Sequence, residues 1–303
     1  MFRAIRRQQV DVLQTLINNK ASLELKDDQG RNPLMLAAAC DSPACLQVLL
    51  SANANLEAKD EDGLTALMWA AKKGKTGCAQ LLIDCKANVD VEGGRNETAL
   101  ILAVENGKTA CAQLLIDAKA DIEAKSKNGS ALLIAAEKGD VESVKRLISR
   151  KADVDATNEY GNDALSQASR NGHAGIVQLL IDAKVNMYYR DRTINPWIMA
   201  AINGDVDCLQ LLIDAKANIH AGDYYGNTAL MCAVKKGAIA CVRLLVDAKA
   251  DIHLQRSDGR TALGVALDHG SGICAQLLDD ATADIITEDN AGMTQLMRVA
   301  CAG

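Results

Sequence analysis

Asp60-Glu61-Asp62-Gly63-Leu64-Thr65-Ala66-Leu67-Met68-Trp69-Ala70-Ala71-Lys72-Lys73-Gly74, followed by Cys78-Ala79-Gln80-Leu81-Leu82-Ile83-Asp84-Cys85-Lys86-Ala87-Asn88-Val89, is the stretch that decides the fold. It reads as turn, short helix, glycine, longer helix, turn. Asp60 to Gly63 carries turn chemistry, and Thr65 is a helix N-cap placed just before an apolar run. The same reading recurs about every 33 residues along the 303-residue chain.

Two columns fix the register of that recurrence. Asn32, Thr65, Thr98, Ser130, Asp163, Asn195, Thr228, Thr261 and Thr294 occupy the N-cap position of the first helix. Each is a side chain able to accept a bond from an orphan N–H of the first turn. Leu16, Leu49, Leu82, Leu115, Leu147, Leu180, Leu212, Leu245 and Leu278 share one position of the second helix. Chance periodicity does not produce two such columns, and a Leu→Ala change in a central unit is expected to cost about 2–5 kcal/mol. Pro33 follows Asn32 at the first helical position, where its missing N–H costs nothing.

These residues resemble the ankyrin repeat, whose pattern is D-x-x-G-x-T-P-L-H-x-A-A-x-x-G followed by an apolar helix ending L-L-x-x-G-A. The resemblance covers almost the whole chain. It implies an all-α ankyrin-repeat solenoid of stacked helix-loop-helix units joined by β-turn or hairpin fingers. Residues 1–303 then form a single domain. Residues 1–26 are an N-terminal capping half repeat, 27–287 are eight full repeats, and 288–303 are a C-terminal half repeat. Arg3, Arg6, Arg7 and Gln9 put polar groups where an internal unit buries apolar ones, as a cap requires. Asn96 replaces the turn glycine, tolerably, because Asn visits the left-handed region. Where the family ends its second helix with Gly-Ala, this chain has Lys86-Ala87, Lys119-Ala120, Lys151-Ala152, Lys216-Ala217 and Lys249-Ala250. Lysine lacks the conformational ease of glycine but sets a cation at the negative end of the helix dipole. Near-identical copies of Gln-Leu-Leu-Ile-Asp-Ala-Lys at 113–119, 178–184 and 210–216 point to internal duplication as the origin of the series.

Bulk properties narrow the function. A net charge of −6 with no basic block excludes a phosphate-neutralising surface, so nucleic acid is not the expected partner. No apolar run of about 18 residues predicts a membrane span. The N-terminus has no apolar signal core. Of the ten cysteines, Cys45, Cys78, Cys111, Cys208, Cys241 and Cys274 form one column of the second helix. Stacked helices lie about 8–10 Å apart, too far for neighbouring Cα atoms to be bridged by a disulfide. The column reads as small core hydrophobes in a reducing compartment, cytoplasmic or nuclear. There the Asn96-Glu97-Thr98 sequon is silent.

Signatures of catalysis are missing from the sequence. Glycines fall one per turn at repeat spacing rather than in a phosphate loop. His173, His220, His253 and His269 are scattered, and Cys40 and Cys45 have no second pair near them. Asp84, Asp117, Asp182, Asp214 and Asp247 recur at one helix position, as a solvated face does. The expectation is a non-enzymatic chain with no cofactor and no metal.

The one signal without the repeat period is aromatic. The five tyrosines and Trp197 fall between 160 and 225, in repeats 6 to 8. Tyr160, Tyr224 and Tyr225 directly precede turn glycines, and Tyr188 and Tyr189 lie beside Arg190 and Arg192. The resemblance places these turns as fingers that, with the first helices, form a concave recognition face. Tyr, Trp and Arg are the residues enriched in binding hot spots. Trp197 shares its column with Leu67 and Leu100 and is expected in the core. Trp69 with Lys72 and Lys73, and Lys235 with Lys236, are further candidates on first helices. The expected function is a protein–protein interaction scaffold, a monomer that binds another protein through that face with its hot spot in repeats 6–8. The alternative is the targeting portion of a longer multidomain enzyme or host-directed effector, motivated by a stop at Gly303, an inter-helix glycine. A bend or weak coupling is expected at the glycine-poor junction 190–195.

Overall fold

The computed structural model describes residues 1–187 and 195–287, and of 283–287 the helical backbone alone. The chain packs as two compact units, Met1–Ala164 and Leu165–Gly303. Among the described residues both units are built from helix pairs, one pair per repeat.

In the first unit the pairs are α1 (Phe2–Arg6) with α2 (Val10–Asn18), α3 (Pro33–Ala39) with α4 (Pro43–Ser51), α5 (Ala66–Lys73) with α6 (Thr76–Asp84), α7 (Ala99–Glu105) with α8 (Thr109–Asp117), and α9 (Ala131–Lys138) with α10 (Val141–Ser149). First helices stack on first helices, α1 on α3, α3 on α5, α5 on α7 and α7 on α9, and second helices stack likewise. A two-residue antiparallel ladder, β1 (Lys125–Ser126) and β2 (Gly129–Ser130), forms the fifth finger. The second unit opens within α11 (Ala164–Arg170). It continues with α12 (Ala174–Asp182), then α13 (Pro196–Asn203) with α14 (Val206–Asp214), α15 (Ala229–Lys236) with α16 (Ile239–Asp247), and α17 (Ala262–Asp268) with α18 (Gly272–Thr287). Here α13, α15 and α17 stack in turn, as do α12, α14, α16 and α18.

The central pair α5 and α6 shows why the sequence folds this way. Thr65 is extended and accepts a bond from the Met68 N–H at 3.4 Å, which starts α5. Ala66 through Ala71 are all buried, and only Lys72 and Lys73 at the end of the short helix reach solvent. Gly74 stops it at φ 70°, and α6 then buries only the stripe Cys78, Ala79 and Leu82. The cysteine column is core throughout: Cys45, Cys78, Cys111, Cys208, Cys241 and Cys274 are all buried. From Leu49 to Leu278 the leucine column is buried as well, whereas Leu16 in the capping repeat is half-buried.

The lysine series adopts the strained conformation that its position demands. Lys86, Lys119, Lys151, Lys184, Lys216 and Lys249 have φ between 60° and 68°. At the end of α6 the Lys86 N–H reaches the Ile83 carbonyl at 2.9 Å and the Ala87 N–H reaches Leu82 at 3.0 Å, the paired closure of a Schellman cap. Helix α18 departs from this. It spans 16 residues where the other second helices span 9, running past the point at which the repeat predicts a turn. Thr282 stands where the other repeats have lysine or, in repeat 2, Asn53. A β-branched residue resists positive φ, and the Thr282 hydroxyl instead donates back to the Leu278 carbonyl at 2.8 Å.

Two expected caps are not made. Asn32, Thr65, Thr98, Thr228 and Thr261 accept their N–H bonds. Ser130 and Asn195 have no side-chain cap bond. Ser130 belongs to the short ladder of the fifth finger, and the Asn195 amide turns away to donate to the Gly222 carbonyl at 3.4 Å. Among the described residues no helix is long and apolar enough to cross a membrane.

Candidate partner-binding surface

Four of the fingers are turns closed by the side chain that opens them. The Asp60 carboxylate accepts from the N–H groups of Asp62 at 3.0 Å and Leu64 at 2.8 Å. Asp27, Asn158 and Asp223 do the same in their own turns. These are Asx turns, and they set the spacing from Asp to Gly. Asn96 takes the turn-glycine place at φ 61°, as its residue type permits. Neighbouring fingers are tied to one another. The N–H groups of Asn88, Asp121 and Asp153 donate to the side chains of Glu57, Asp90 and Glu123 at 2.8, 2.7 and 2.9 Å. In the second unit the Asp251 N–H donates to His220 Nδ1 at 3.2 Å, so the ring nitrogen there is an acceptor. The aspartates of the second helices are held too: Asp84, Asp182 and Asp214 each accept from the glutamine one turn before. Asp117 is gripped by Arg146 and Arg150, and the Arg146 hydrogen bond holds its carboxyl below the usual range.

Tyr160, Tyr224 and Tyr225 stand on finger tips and are 62%, 67% and 61% exposed. The rings of Tyr224 and Tyr225 meet edge to face at 5.3 Å. Tyr160 belongs to the first unit and the other two to the second. Tyr188, Tyr189, Arg190 and Arg192 lie outside the described residues, as does nearly all of the 190–195 junction. Trp197 is 1% exposed, in the core where its column predicts it.

Trp69 is 7% exposed, so it offers a partner little of its ring. Its indole N–H donates to the second oxygen of Asp60 at 2.7 Å. Arg31, Lys72 and Lys73 gather over the ring at 5.1, 5.2 and 5.8 Å, each within cation–π range. Arg31 is fixed by Asp27 at 2.7 Å. Burial of Asp27 works against its charge. The Arg31 hydrogen bond, the backbone N–H groups of Gln29 and Arg31, and the Arg31 charge outweigh that and hold the carboxyl below its usual value.

A sequence model of the family described as ankyrin repeats (3 copies) matches residues 1–60, 42–126, 100–191 and 184–256. The chain belongs to the ankyrin-repeat family. No curated protein matches the sequence. Ankyrin repeats generally mediate protein–protein interaction, typically as scaffolds without enzymatic activity.

The ankyrin fold also creates a site that sequence reading missed. A groove of about 530 Å³ opens on the first-helix side of repeats 8 and 9. Ile202, Met231, Cys232 and Val265 supply its apolar wall, while Tyr225, Lys235, Lys236 and Arg256 supply its rim. The Cys232 thiol is pushed up to about 12, chiefly by burial and further by the Asp223 charge, so it is neutral and apolar at neutral pH. The available signal was a break in two columns of the ankyrin pattern. Cys232 stands where Leu36, Trp69, Leu102, Ile134 and Met199 are found. Ile202, 46% exposed, stands where Lys72, Glu105, Glu137, Arg170, Lys235 and Asp268 are found.

Proposed function

We propose that this ankyrin-repeat chain is a scaffold that binds another protein through the face made by its fingers and first helices, with its hot spot in repeats 6–8. The observation that carries this reading is the exposure of Tyr160, Tyr224 and Tyr225, all above 60%, on turns whose backbone is held by Asn158 and Asp223. Tyrosines that only stiffened the loops would lie against neighbouring turns and lose that exposure. Rigid fingers carrying large rings lose little entropy on binding. Trp69 with Lys72 and Lys73 belongs to the same face in repeat 3, where the lysines rather than the buried indole are available to a partner.

Photo-crosslinking tests the reading. A photoreactive amino acid is placed at position 160, at 225, and at 178 on the exposed side of α12 as a control. In lysate of the source cell, one specific adduct is expected from 160 and 225 and none from 178. Adducts from 178 alone would move the binding face to the second helices and defeat the proposal.

A further inference from the structure

The geometry points to a binding groove in repeats 8 and 9 for an acidic peptide segment that inserts a large apolar side chain. This rests on the reading that the finger and first-helix face binds protein, and it assigns the chemistry of the segment bound.

One residue lining the groove, Cys232, is small for its column. In the column of Cys232 the other repeats carry Leu36, Trp69, Leu102, Ile134, Gln167, Met199 and Val265. The groove measures about 530 Å³, against about 420 Å³ for the corresponding groove of repeats 4 and 5, where Leu102 and Ile134 stand in the column, and lies within the range of sites that hold a bound side chain and its neighbours. The void is not repaired from above. Ile202 is exposed at a position that elsewhere carries charge, or the small Ala39. An exposed isoleucine facing an unfilled apolar wall gains when a third apolar group covers it.

The rim selects the sign of the partner. Lys235 and Lys236 are exposed, and among the described residues neither is in an ion pair. Arg256 pairs with Asp258 at 3.0 Å and keeps 26% of its side chain open. The one carboxylate lining the groove, Asp223, is spent within its own turn on the Tyr225 and Asn227 N–H groups and the Asn227 amide. A net cationic rim on a chain of net charge −6 attracts carboxylates and repels lysines. The apolar wall and the single groove width favour a peptide over a polyphosphate or nucleic acid, which requires a broad basic track.

The rim is also held in place. Ser257 donates both its N–H and its hydroxyl to the Tyr225 carbonyl, at 2.9 and 2.8 Å. Gly226, at φ 77°, lets the two fingers touch, because a Cβ there would stand 3.0 Å from the Arg256 Cα. The Tyr225 backbone is therefore held in place before binding.

Fluorescence anisotropy on the full chain tests the proposal with three labelled decapeptides. The first has a central Leu-Phe pair between Asp and Glu residues. The second has Lys for every carboxylate, and the third has Ser for Leu and Phe. The first is expected to bind at least tenfold tighter than either of the others and to weaken as salt is raised. Cys232→Leu, which restores the residue type of repeats 2 and 4, should fill the groove and weaken binding at least tenfold with an unchanged circular-dichroism melt. The double change Lys235→Glu and Lys236→Glu should do the same from the rim. Equal binding of the three peptides, or undiminished binding by both variants, overturns the proposal. Random peptides selected on phage against the same protein separate it from the broader reading. Selected peptides that lack acidic residues, yet are lost on Tyr225→Ala, overturn the acidic groove and leave the recognition face standing. Selected peptides that bind the Tyr160→Ser, Tyr224→Ser, Tyr225→Ser triple variant undiminished overturn both.

Discussion

Repeats 3 and 8 carry the same lysine pair at the end of the first helix, Lys72–Lys73 and Lys235–Lys236, and the same aspartate at the start of the finger, Asp60 and Asp223. Between these they differ at five positions, and the largest change in side-chain size inside the first helix puts Trp69 in repeat 3 and Cys232 in repeat 8. The indole fills its groove, takes the spare oxygen of Asp60 and draws Arg31, Lys72 and Lys73 over its own ring. The thiol fills nothing, Asp223 turns to Asn227 instead, and the lysines stay on an open rim. Repeat 3 thus gathers its cations over a buried ring, whereas repeat 8 leaves them around an open groove.

The largest expected difference is in stability. Trp69→Ala should destabilise the chain by about 3–5 kcal/mol, the range for losing a buried aromatic. Cys232→Ala, beside an existing void, should cost far less. Urea unfolding followed by circular dichroism, with hydrogen exchange at α5 and α15, measures both, and equal costs would break the contrast. Next comes reactivity. A Cys232 thiol pushed up to about 12 should alkylate at pH 8 on the order of thirtyfold more slowly in the folded chain than in urea, after allowing for the stronger nucleophilicity of a high-pKa thiolate. Mass spectrometry of iodoacetamide-treated protein reads this residue by residue.

Removing Asp60 is a smaller change than removing the indole. Asp60→Ala orphans a buried indole N–H and two backbone donors, and should cost about 1–3 kcal/mol. Asp223→Ala leaves no indole behind and should cost less, by the same unfolding measurement. The smallest effect is in acid. The folded pKa of Asp27 lies below its unfolded value. Its stabilisation is therefore complete above about pH 4 and is lost as the pH falls through the folded value. Urea midpoints taken from pH 6 to pH 3 should show native protein and Asp27→Asn converging at the acid end. A gap that widened in acid would contradict the ion pair that holds Arg31 over Trp69.

The repeat was legible because its rules are local. A turn of Asp to Gly, an N-cap such as Thr65 and buried columns of Cys and Leu depend on residues a few places apart, and the structure has them as read. Asn96 in the left-handed region followed from residue type alone. The course of α18 did not follow from the period, because it turns on the β-branching of Thr282, a detail below the resolution of an apolar pattern. Ser130 and Asn195 kept the right letter for a cap without making the bond, since backbone pairing and a competing carbonyl decided their fate. The site was the least legible part. Exposed tyrosines could be placed on fingers, but the groove depends on the small side chain of Cys232, on Ile202 from the preceding repeat and on Arg256 arriving from the next finger. Reading it requires comparing each column across repeats for a size deficit, rather than asking which residues carry chemistry.

Among the described residues the backbone N–H bonds between fingers run one way, although the Lys59 ammonium reaches forward to the Glu92 carbonyl. Asn88 donates to Glu57, Asp121 to Asp90, Asp153 to Glu123 and Asp251 to His220, each from a later repeat to the one before it. During synthesis the acceptor is therefore already in place when its donor leaves the ribosome. A nascent repeat docks on a finished neighbour and has no need to wait for the one that follows, so the chain can be assembled in the direction in which it is made.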